Sequence, residues 1–150
     1  MPARLNRRWV LAKRPIGEPT EDCFELQEVP VPELAAGEVL VEVHFLSLDP
    51  YMRGRMRDAK SYAEPVKIGE VITGESAGVI VESNSDRWSV GDCVTVHQGW
   101  QSLIAVAGWI QSGQLKYRET IAEGIESAPA AFRGLLAGKN FGKQLVRVAR

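Results

Sequence analysis

Alternation of hydrophobic and polar residues is the feature that most restricts the fold of this chain. It recurs in short runs from about residue 8 to residue 100, and Pro, Gly, Asn or Asp separates one run from the next. In the run EVLVEVHF, Glu42 and His44 fall on one face, and the other face carries Val39, Val41, Val43 and Phe45. This period of two is typical of strands with one face on a core. We therefore predict a mainly β fold with flanking helices (α+β), built around a small, partly open β-barrel.

A helical period replaces the alternation at Ser102. Apolar residues then recur at i, i+3, i+4 and i+7, namely at Leu103, Val106, Ala107 and Ile110. Ser102 stands where an N-cap belongs, and Gly113 stands where a helix would end. We therefore predict an amphipathic helix that begins at Ser102. Because almost no linker separates it from the preceding strand, the segment between Gln101 and Leu103 is an unusual junction.

A second helix and a last strand are predicted nearer the C-terminus. The helix is indicated by apolar residues at helical spacing: Ile125, Ala128, Phe132, Leu135 and Leu136. Pro129 is acceptable only near its first turn, and Gly138 is its stop. The run QLVRVA then alternates as a terminal strand, with Leu145 inward if Arg147 faces outward.

Length and charge narrow the classes of function. The chain has 150 residues, with 18 basic and 19 acidic side chains and a formal net charge of −1, so we expect one domain. A chain so evenly charged is not expected to bind nucleic acid or an anionic membrane surface. The apolar stretch at residues 9–11 is too short for a signal peptide or a membrane span, and we expect a cytoplasmic location.

The residue types that hold metals or phosphates lack the spacing that such sites need. His44 and His97 each lie in a strand pattern, and we interpret them as solvent-facing or hydrogen-bonded strand histidines. A zinc site needs three or four convergent ligands, so none is predicted. GLLAGKNFGK is one residue too short for a Walker loop, and no G-x-G-x-x-G occurs. We therefore predict no metal and no nucleotide domain in the chain.

The run SLDPYMRGRM, residues 47–56, is the first candidate for a functional site. It places a hydroxyl, a carboxylate, Tyr51 and arginines just beyond a well-defined strand, in a turn that Pro50 starts. Loops at strand ends commonly carry chemistry. The alternative is that the ring of Tyr51 simply packs against the barrel, and the residues alone leave both interpretations open.

Four runs together resemble a known family. They are GEVLVEVHFLSLDPYMRGRM, GEVITGESAGVIVES, DRWSVGDCVTVHQGWQ and AGWIQSGQLKYRETIAEGIESAPAAFRGLLAGKNFGKQLVRV. In this order they resemble the zinc-free medium-chain dehydrogenase/reductases, in the branch of NADPH-dependent enone reductases that includes leukotriene B4 dehydrogenase/prostaglandin, plant alkenal and bacterial curcumin reductases. Zinc-dependent relatives carry Gly-His-Glu where this chain has Thr73-Gly74-Glu75, and a ligand cysteine near residues 48–52. The resemblance therefore also implies that no zinc is bound.

The resemblance implies a domain that is divided in the sequence. In those enzymes an entire nucleotide-binding Rossmann domain interrupts a GroES-like catalytic domain. Residues 1–101 match the N-terminal part and residues 102–150 match the C-terminal return, so residues 1–150 would form one GroES-like domain. The Rossmann domain would be absent between about residues 101 and 103, with Ser102 at the splice. An engineered deletion is our hypothesis, and a natural deletion is the alternative.

The resemblance also implies the chemistry of the parent enzyme and the residues that serve it. NADPH would deliver hydride to the β-carbon of an α,β-unsaturated ketone or aldehyde, and a tyrosine hydroxyl would stabilise the enolate. Tyr51 is implied as this catalytic and substrate-binding residue, and Tyr62 as a second substrate contact. Gly138, Asn140 and Gly142 are implied as cofactor contacts.

Most of the cofactor site would lie in the absent domain. We therefore expect that this chain alone binds no cofactor and has no measurable reductase activity. Cleft walls that faced the absent domain would be exposed, so we expect a homodimer formed through them. The alternative function is a stand-alone GroES-like binding or scaffold module without catalysis, favoured by the absence of a nucleotide-binding signature.

Overall fold

Strands make up most of the computed structural model, which describes residues 3–108, 110–112, 119–140 and 143–149. Within those ranges the strands are β1 (Leu5–Leu11), β2 (Phe24–Pro30), β3 (Val39–Leu48), β4 (Ser76–Ser83), β5 (Cys93–Val96), β6 (Leu103–Val106), β7 (Gln111–Ser112), β8 (Glu119–Glu123) and β9 (Lys143–Arg147). The α-helices are α1 (Tyr51–Arg55) and α2 (Ala128–Leu136). The predicted mainly β fold with flanking helices is confirmed. Among the described residues, no helix has both the length and the apolar character needed to cross a bilayer.

β3 is the strand on which the main sheet is organised. One edge of β3 pairs antiparallel with β4. The other edge is shared, because residues 39–42 pair with β6 and residues 45–48 pair with β9. Both partners run antiparallel to β3, so β6 and β9 lie end to end along one edge. Strands from the middle and from the C-terminal part of the sequence therefore complete the same sheet.

The prediction of a helix that begins at Ser102 is wrong, because residues 103–106 form the strand β6. Ile104 and Val106 are buried, at 2% and 6% exposure, whereas Leu103, the residue before Ile104, is only partly buried. The segment therefore follows the strand period. The open edge of β3 offers hydrogen bonds that override the local helical spacing. Ser102 is not an N-cap, since its backbone N–H donates to the carbonyl oxygen of Arg7 at 2.9 Å. Gly113, the predicted stop, lies outside the described residues.

The second predicted helix is confirmed as α2. Pro129 lies in its first turn, and Gly138 follows its end with a φ of +74°, a conformation that glycine adopts at little cost. Ile125 belongs to a short 3-10 turn that precedes the helix. α2 connects β8 to β9, which pair in parallel, so this part of the chain is a β-α-β unit. The terminal strand is also confirmed, with Leu145 buried and Arg147 partly exposed.

Two clusters of apolar side chains fill the fold, and β3 contributes to both. The first cluster contains the β3 valines that were predicted to face a core, together with Ile80, Val94, Val96, Ile104, Val106 and Ile110. The second contains Leu46 and Leu48 from the other end of β3. In this second cluster Trp100 is fully buried, stacks on Phe24 with ring centroids 5.8 Å apart, and meets Phe132 of α2 edge-on at 5.5 Å. Trp100 therefore joins the N-terminal strands to the C-terminal helix.

Asn6 of β1 holds the segment around Ser102 in place. Its Oδ1 accepts hydrogen bonds from the backbone N–H groups of Ser102 at 3.2 Å and Leu103 at 3.1 Å. Its Nδ2 donates to Oε1 of Gln101 at 2.7 Å. The Asn6 residue is only 7% exposed, so these groups have little access to water as a substitute partner.

We expect Asn6→Ala to lower the free energy of unfolding by about 1–3 kcal/mol, because it removes the side-chain acceptor of the Leu103 N–H and the Asn6 hydrogen bond to Gln101. The Ser102 N–H keeps the Arg7 carbonyl oxygen. Urea unfolding followed by far-UV circular dichroism measures this loss. Asn84→Ala is the matched control, since Asn84 is exposed and donates to the carbonyl oxygen of Leu34 at 2.8 Å. Equal losses in the two variants would contradict the role given to Asn6.

Candidate active site

The turn that follows β3 is built around Pro50 and two buried methionines. Pro50 has a φ of −59°, which suits the first position of a helix, and α1 begins at the next residue. Met52 and Met56 are both fully buried in the second cluster and fix the inner face of the turn. Because α1 is short, the packing of these two methionines stabilises it more than its own helical hydrogen bonds do.

The arginines of this turn hold neighbouring loops. Arg53 donates from Nε and Nη2 to the carbonyl oxygen of Gly17, at 3.0 and 2.8 Å. Arg55 donates from Nε to the carbonyl oxygen of Glu64 at 2.9 Å. Through these hydrogen bonds both arginines hold neighbouring loops against the turn that carries Tyr51.

Tyr51 combines the two interpretations that the sequence left open. Its ring packs against the second apolar cluster, and the residue as a whole is half-buried. Burial raises the pKa of the Tyr51 hydroxyl above its ordinary value, and the negative charge of Asp49 raises it further. A hydrogen bond with the Thr73 side chain acts in the opposite direction and lowers the pKa. Since the first two causes prevail, the hydroxyl stays protonated, and able to donate, to higher pH than an exposed tyrosine.

An ion pair brings the two sequence motifs together. Nζ of Lys143, in GKNFGK, donates to Oδ1 of Asp49, in DPYMRG, although the two residues are 94 positions apart. Oδ2 of the same carboxylate accepts from the Ser47 hydroxyl at 2.9 Å. Both acceptor atoms of Asp49 are thus engaged, which fixes its charge beside Tyr51. The first residue of β9 therefore supports the turn that carries the candidate catalytic tyrosine.

Thr73 and His97 meet at an open groove next to Tyr51. Oγ1 of Thr73 lies 3.3 Å from Nε2 of His97. Both residues line a groove of about 410 Å³, together with Arg55, Glu64, Glu70 and Gln98. A second groove of about 310 Å³ continues past His97 toward Glu75 and Gln111. Since Arg55 belongs to the same short helix as Tyr51, the groove borders the turn that carries this tyrosine.

The other predicted site residues occupy different positions. Tyr62 is 83% exposed, and its charge would raise the pKa of Tyr51, so the two tyrosines are neighbours on one side of the protein. Gly138 and Asn140 follow α2, in the segment that leads to Lys143. Gly142 lies outside the described residues. The roles of these residues toward substrate and cofactor remain predictions.

The zinc-ligand position of zinc-dependent relatives is filled by apolar side chains in this structure. A Cβ atom at Gly74 would lie 3.1 Å from Cδ1 of Trp100 and 3.2 Å from Cε of Met52. A histidine at this position would therefore displace two fully buried side chains. Within the described residues, no group of three or more His, Cys, Asp or Glu side chains is arranged to hold a metal ion.

Sequence reasoning missed two contacts around this turn, that of Thr73 with His97 and that of Lys143 with Asp49. The strand pattern predicts a solvent-facing or hydrogen-bonded histidine at residue 97, and His97 is both exposed and hydrogen-bonded. Thr73 could not be singled out from the sequence, because one threonine between two predicted strands forms no recognisable motif. The contacts connect segments that are far apart in the chain, so only the folded structure brings them together.

Comparison with known proteins identifies the family. Residues 7–112 match a family model described as the N-terminal domain of oxidoreductase. The chain is also 42% identical over 135 residues to the NADPH-dependent curcumin reductase of Escherichia coli, a match that covers 87% of the chain and 39% of that relative. The chain belongs to the zinc-free medium-chain dehydrogenase/reductases. Prostaglandin reductase 1 of Oryctolagus cuniculus, another relative, is 42% identical over 97 residues, covering 64% of the chain and 26% of the relative.

A solved structure supports the fold of this medium-chain reductase domain. CurA from Vibrio vulnificus superimposes with a TM-score of 0.91 at 21% sequence identity, covering 97% of this chain and 99% of that one. This match confirms the predicted GroES-like fold. The two curated relatives are much longer than their matched parts, and the chain spans only 39% and 26% of them.

Proposed function

We propose that this chain is the catalytic domain of an NADPH-dependent reductase that reduces the C=C bond of α,β-unsaturated ketones or aldehydes. The observation that carries the proposal is Tyr51, a half-buried residue whose ring packs on the second apolar cluster and whose pKa is raised by burial and by Asp49, in the turn whose Arg55 lines an open groove. The names of the curcumin and prostaglandin reductases support the same class of chemistry.

The role of Tyr51 follows from where charge develops in such a reduction. When bound, NADPH supplies the hydride that is added to the β-carbon of the substrate. Negative charge then accumulates on the carbonyl oxygen, and a hydrogen-bond donor held close to that oxygen lowers the barrier. Tyr51 can be this donor because its raised pKa keeps the proton on the hydroxyl. Its ring, packed on the apolar cluster, keeps the donor in a fixed position.

The residues of this chain could contact NADPH from one side only. At Gly138, no atom lies within 4 Å of the place where a Cβ would stand, so a flat ring could approach the backbone there. Asn140, two residues further, would contact the cofactor from the same segment. The sequence holds no glycine-rich phosphate loop of either common type. We therefore propose that NADPH binding depends on a separate nucleotide-binding domain and that the chain alone is inactive.

We further propose that the nucleotide-binding domain enters the divided sequence beyond Val106 rather than at Ser102. Two observations support the later point. β6 ends at Val106 and pairs with β3 as part of the main sheet. The family match of the N-terminal domain also continues to residue 112. Ser102 would then be an ordinary residue of the catalytic domain, held by Asn6.

The test is an NADPH fluorescence titration followed by an assay of enone-dependent NADPH oxidation. It compares the chain alone with a completed protein, in which a nucleotide-binding domain of this family is inserted after Val106. We expect binding and turnover only in the completed protein, with a 2-alkenone and a 2-alkenal as substrates and the matching saturated ketone as the control. Turnover by the chain alone would contradict its inactivity. A folded completed protein that binds NADPH but reduces no enone would contradict the proposed reaction and favour the binding-module alternative.

We also propose that the exposed cleft side of the chain alone mediates self-association. Large apolar side chains are exposed on the surface, including Ile16 at 96%, Tyr62 at 83% and Ile68 at 54%. Such exposure is typical of surfaces that have a partner. Light scattering over a range of concentrations should give the mass of a dimer for the chain alone. A constant monomer mass would rule this out.

A further inference from the structure

An ion pair joins the two segments that the proposed reaction uses. Asp49 lies two residues before Tyr51, the proposed hydrogen-bond donor, and Lys143 lies three residues after Asn140, the proposed cofactor contact. Nζ of Lys143 donates to Oδ1 of Asp49. The ion pair therefore connects the turn that carries the tyrosine to the cofactor segment, residues 138–140.

The register of the main sheet brings the two charges together. β3 and β9 run antiparallel, and their pairing ends with Leu48 opposite Gln144. Asp49 follows Leu48, and Lys143 precedes Gln144, so the two charged residues are the next facing pair. Formation of the sheet thus places the carboxylate and the ammonium at the same edge.

Asp49 also holds the start of α1. Its backbone carbonyl oxygen accepts a hydrogen bond from the N–H of Met52 at 3.2 Å, and α1 begins with Tyr51. Its carboxylate accepts from the Ser47 hydroxyl at 2.9 Å and from Lys143. Both the main chain and the side chain of Asp49 are therefore bound, and a shift of Lys143 would move the residue from which the helix starts.

This ion pair is the least exposed one among the described residues. The side chains of Lys143 and Asp49 are 32% and 30% exposed. In each of the other ion pairs within the described ranges, both side chains are more exposed. Solvent and salt screen charges less as they become buried. Removal of the ammonium would therefore leave a partly buried carboxylate without a counter-charge.

The charge of Asp49 also bears on the reaction that Tyr51 is proposed to serve. Burial is the larger cause of the raised pKa of Tyr51, and the charge of Asp49 adds to it. During the reduction, negative charge would gather on the substrate oxygen that the tyrosine hydroxyl contacts. A carboxylate without its counter-charge would repel that oxygen. The ammonium of Lys143 reduces this repulsion because it offsets the charge of Asp49.

We propose that Lys143 is a positioning residue, which acts through Asp49 to hold Tyr51 in a fixed place relative to the cofactor segment and to compensate the carboxylate beside it. This inference rests on the proposed function. Lys143 then contacts neither the substrate nor the cofactor. Its substitution should therefore slow the chemical step and leave binding almost unchanged.

The first test follows the titration of Tyr51 by NMR, with ¹³C at Cζ of tyrosine, in the chain as it stands. Lys143→Met should raise the pKa of Tyr51, because the charge of Asp49 is no longer offset, and Lys143→Arg should keep it near that of the parent. When Asp49→Asn is already present, Lys143→Met should change the pKa much less. Arg147→Met is the matched control, since it removes a cation from the other end of β9, where Arg147 pairs with Glu123 at 2.7 Å. An unchanged titration in Lys143→Met, or a large change in the Asp49→Asn background, overturns the inference.

The second test uses the completed protein. Lys143→Met should lower kcat for enone reduction about tenfold, with KM and the Kd for NADPH within about twofold of the parent. Lys143→Arg should recover most of the loss. Asp49→Asn, added to Lys143→Met, should recover part of it, because it removes the uncompensated charge. No recovery in the double variant would mean a merely structural role, and weaker NADPH binding would mean a direct cofactor contact. Either result overturns the inference.

The inference and the proposed function can fail separately. If the completed protein reduces enones and Lys143→Met keeps the kcat of the parent, only the role of Lys143 is overturned. If the completed protein binds NADPH but reduces no enone, the proposed function is overturned instead.

Discussion

Trp100→Ala is expected to lower the free energy of unfolding by about 3–5 kcal/mol, the range for removing a large aromatic side chain from a core. Trp100 is fully buried, and its indole contacts Phe24 on one face and Phe132 at an edge. The variant would leave a cavity between strands of the N-terminal part and α2 of the C-terminal part. A loss of this size is a large fraction of the stability of a single domain. Urea unfolding, monitored by circular dichroism, measures the change.

Two further variants make the prediction specific. Trp88→Ala removes the same residue type from a partly exposed position, where Arg87 lies 5.3 Å over the ring, and should cost clearly less. Trp100→Phe should also cost less than Trp100→Ala, because it keeps an aromatic ring and removes an indole Nε1 that is buried without a hydrogen-bond partner. A Trp100→Ala variant that unfolds with the same midpoint as Trp88→Ala would contradict the central role of Trp100.

Tyr51→Phe is expected to lower kcat for enone reduction by about 10²–10³-fold, since that is the usual effect of removing one donor to a developing oxyanion. KM should change little, because the lost hydrogen bond strengthens mainly in the transition state. The measurement is made on the completed protein that carries the enone-dependent activity. The ring stays in place in this variant, so the apolar cluster behind Tyr51 keeps its packing.

The control for Tyr51→Phe is Tyr62→Phe. Tyr62 lies on the same side but is far more exposed, so we expect a change in kcat of less than about threefold. The pH profile gives a second readout. Because the pKa of Tyr51 is raised, activity that needs its proton should persist above the ordinary tyrosine pKa of about 10 before it declines. A Tyr51→Phe enzyme within twofold of the parent would refute the assigned role.

The strand pattern was predictable where burial alone decided the structure. The alternation in β3 gave the correct inward face for Val39, Val41 and Val43, but not for Phe45, because an irregularity in the pairing with β4 follows Val43 and Leu46 is buried instead. α2 was equally predictable from its apolar spacing, Pro129 and Gly138. The strand at residues 103–106 was not predictable, because a run of only four residues fits both the helical and the strand period. Its strand form depends on the free edge of β3, which is a property of the tertiary structure.

The candidate site was predictable only in part. Tyr51 came from a motif that stands directly after a strand, and the packing of its ring on the apolar cluster is one of the two interpretations that the residues alone left open. Thr73 and His97 could not be found from the sequence, because their importance lies in a contact between two loops. The same holds for the pairing of Asp49 with Lys143, which joins residues 94 positions apart. A single sequence contains no signal for contacts at that range.

The shared edge of β3 has a consequence for the order of folding. Phe45 pairs with Arg147, so that edge cannot be completed until almost the whole chain has left the ribosome. Contacts this distant in sequence carry a high entropy cost of loop closure, and domains rich in them fold slowly. During synthesis, residues 45–48 present an unpaired strand edge that can recruit another nascent chain. Residues 45–48 thus remain a free strand edge until β9 has been translated and has paired with them.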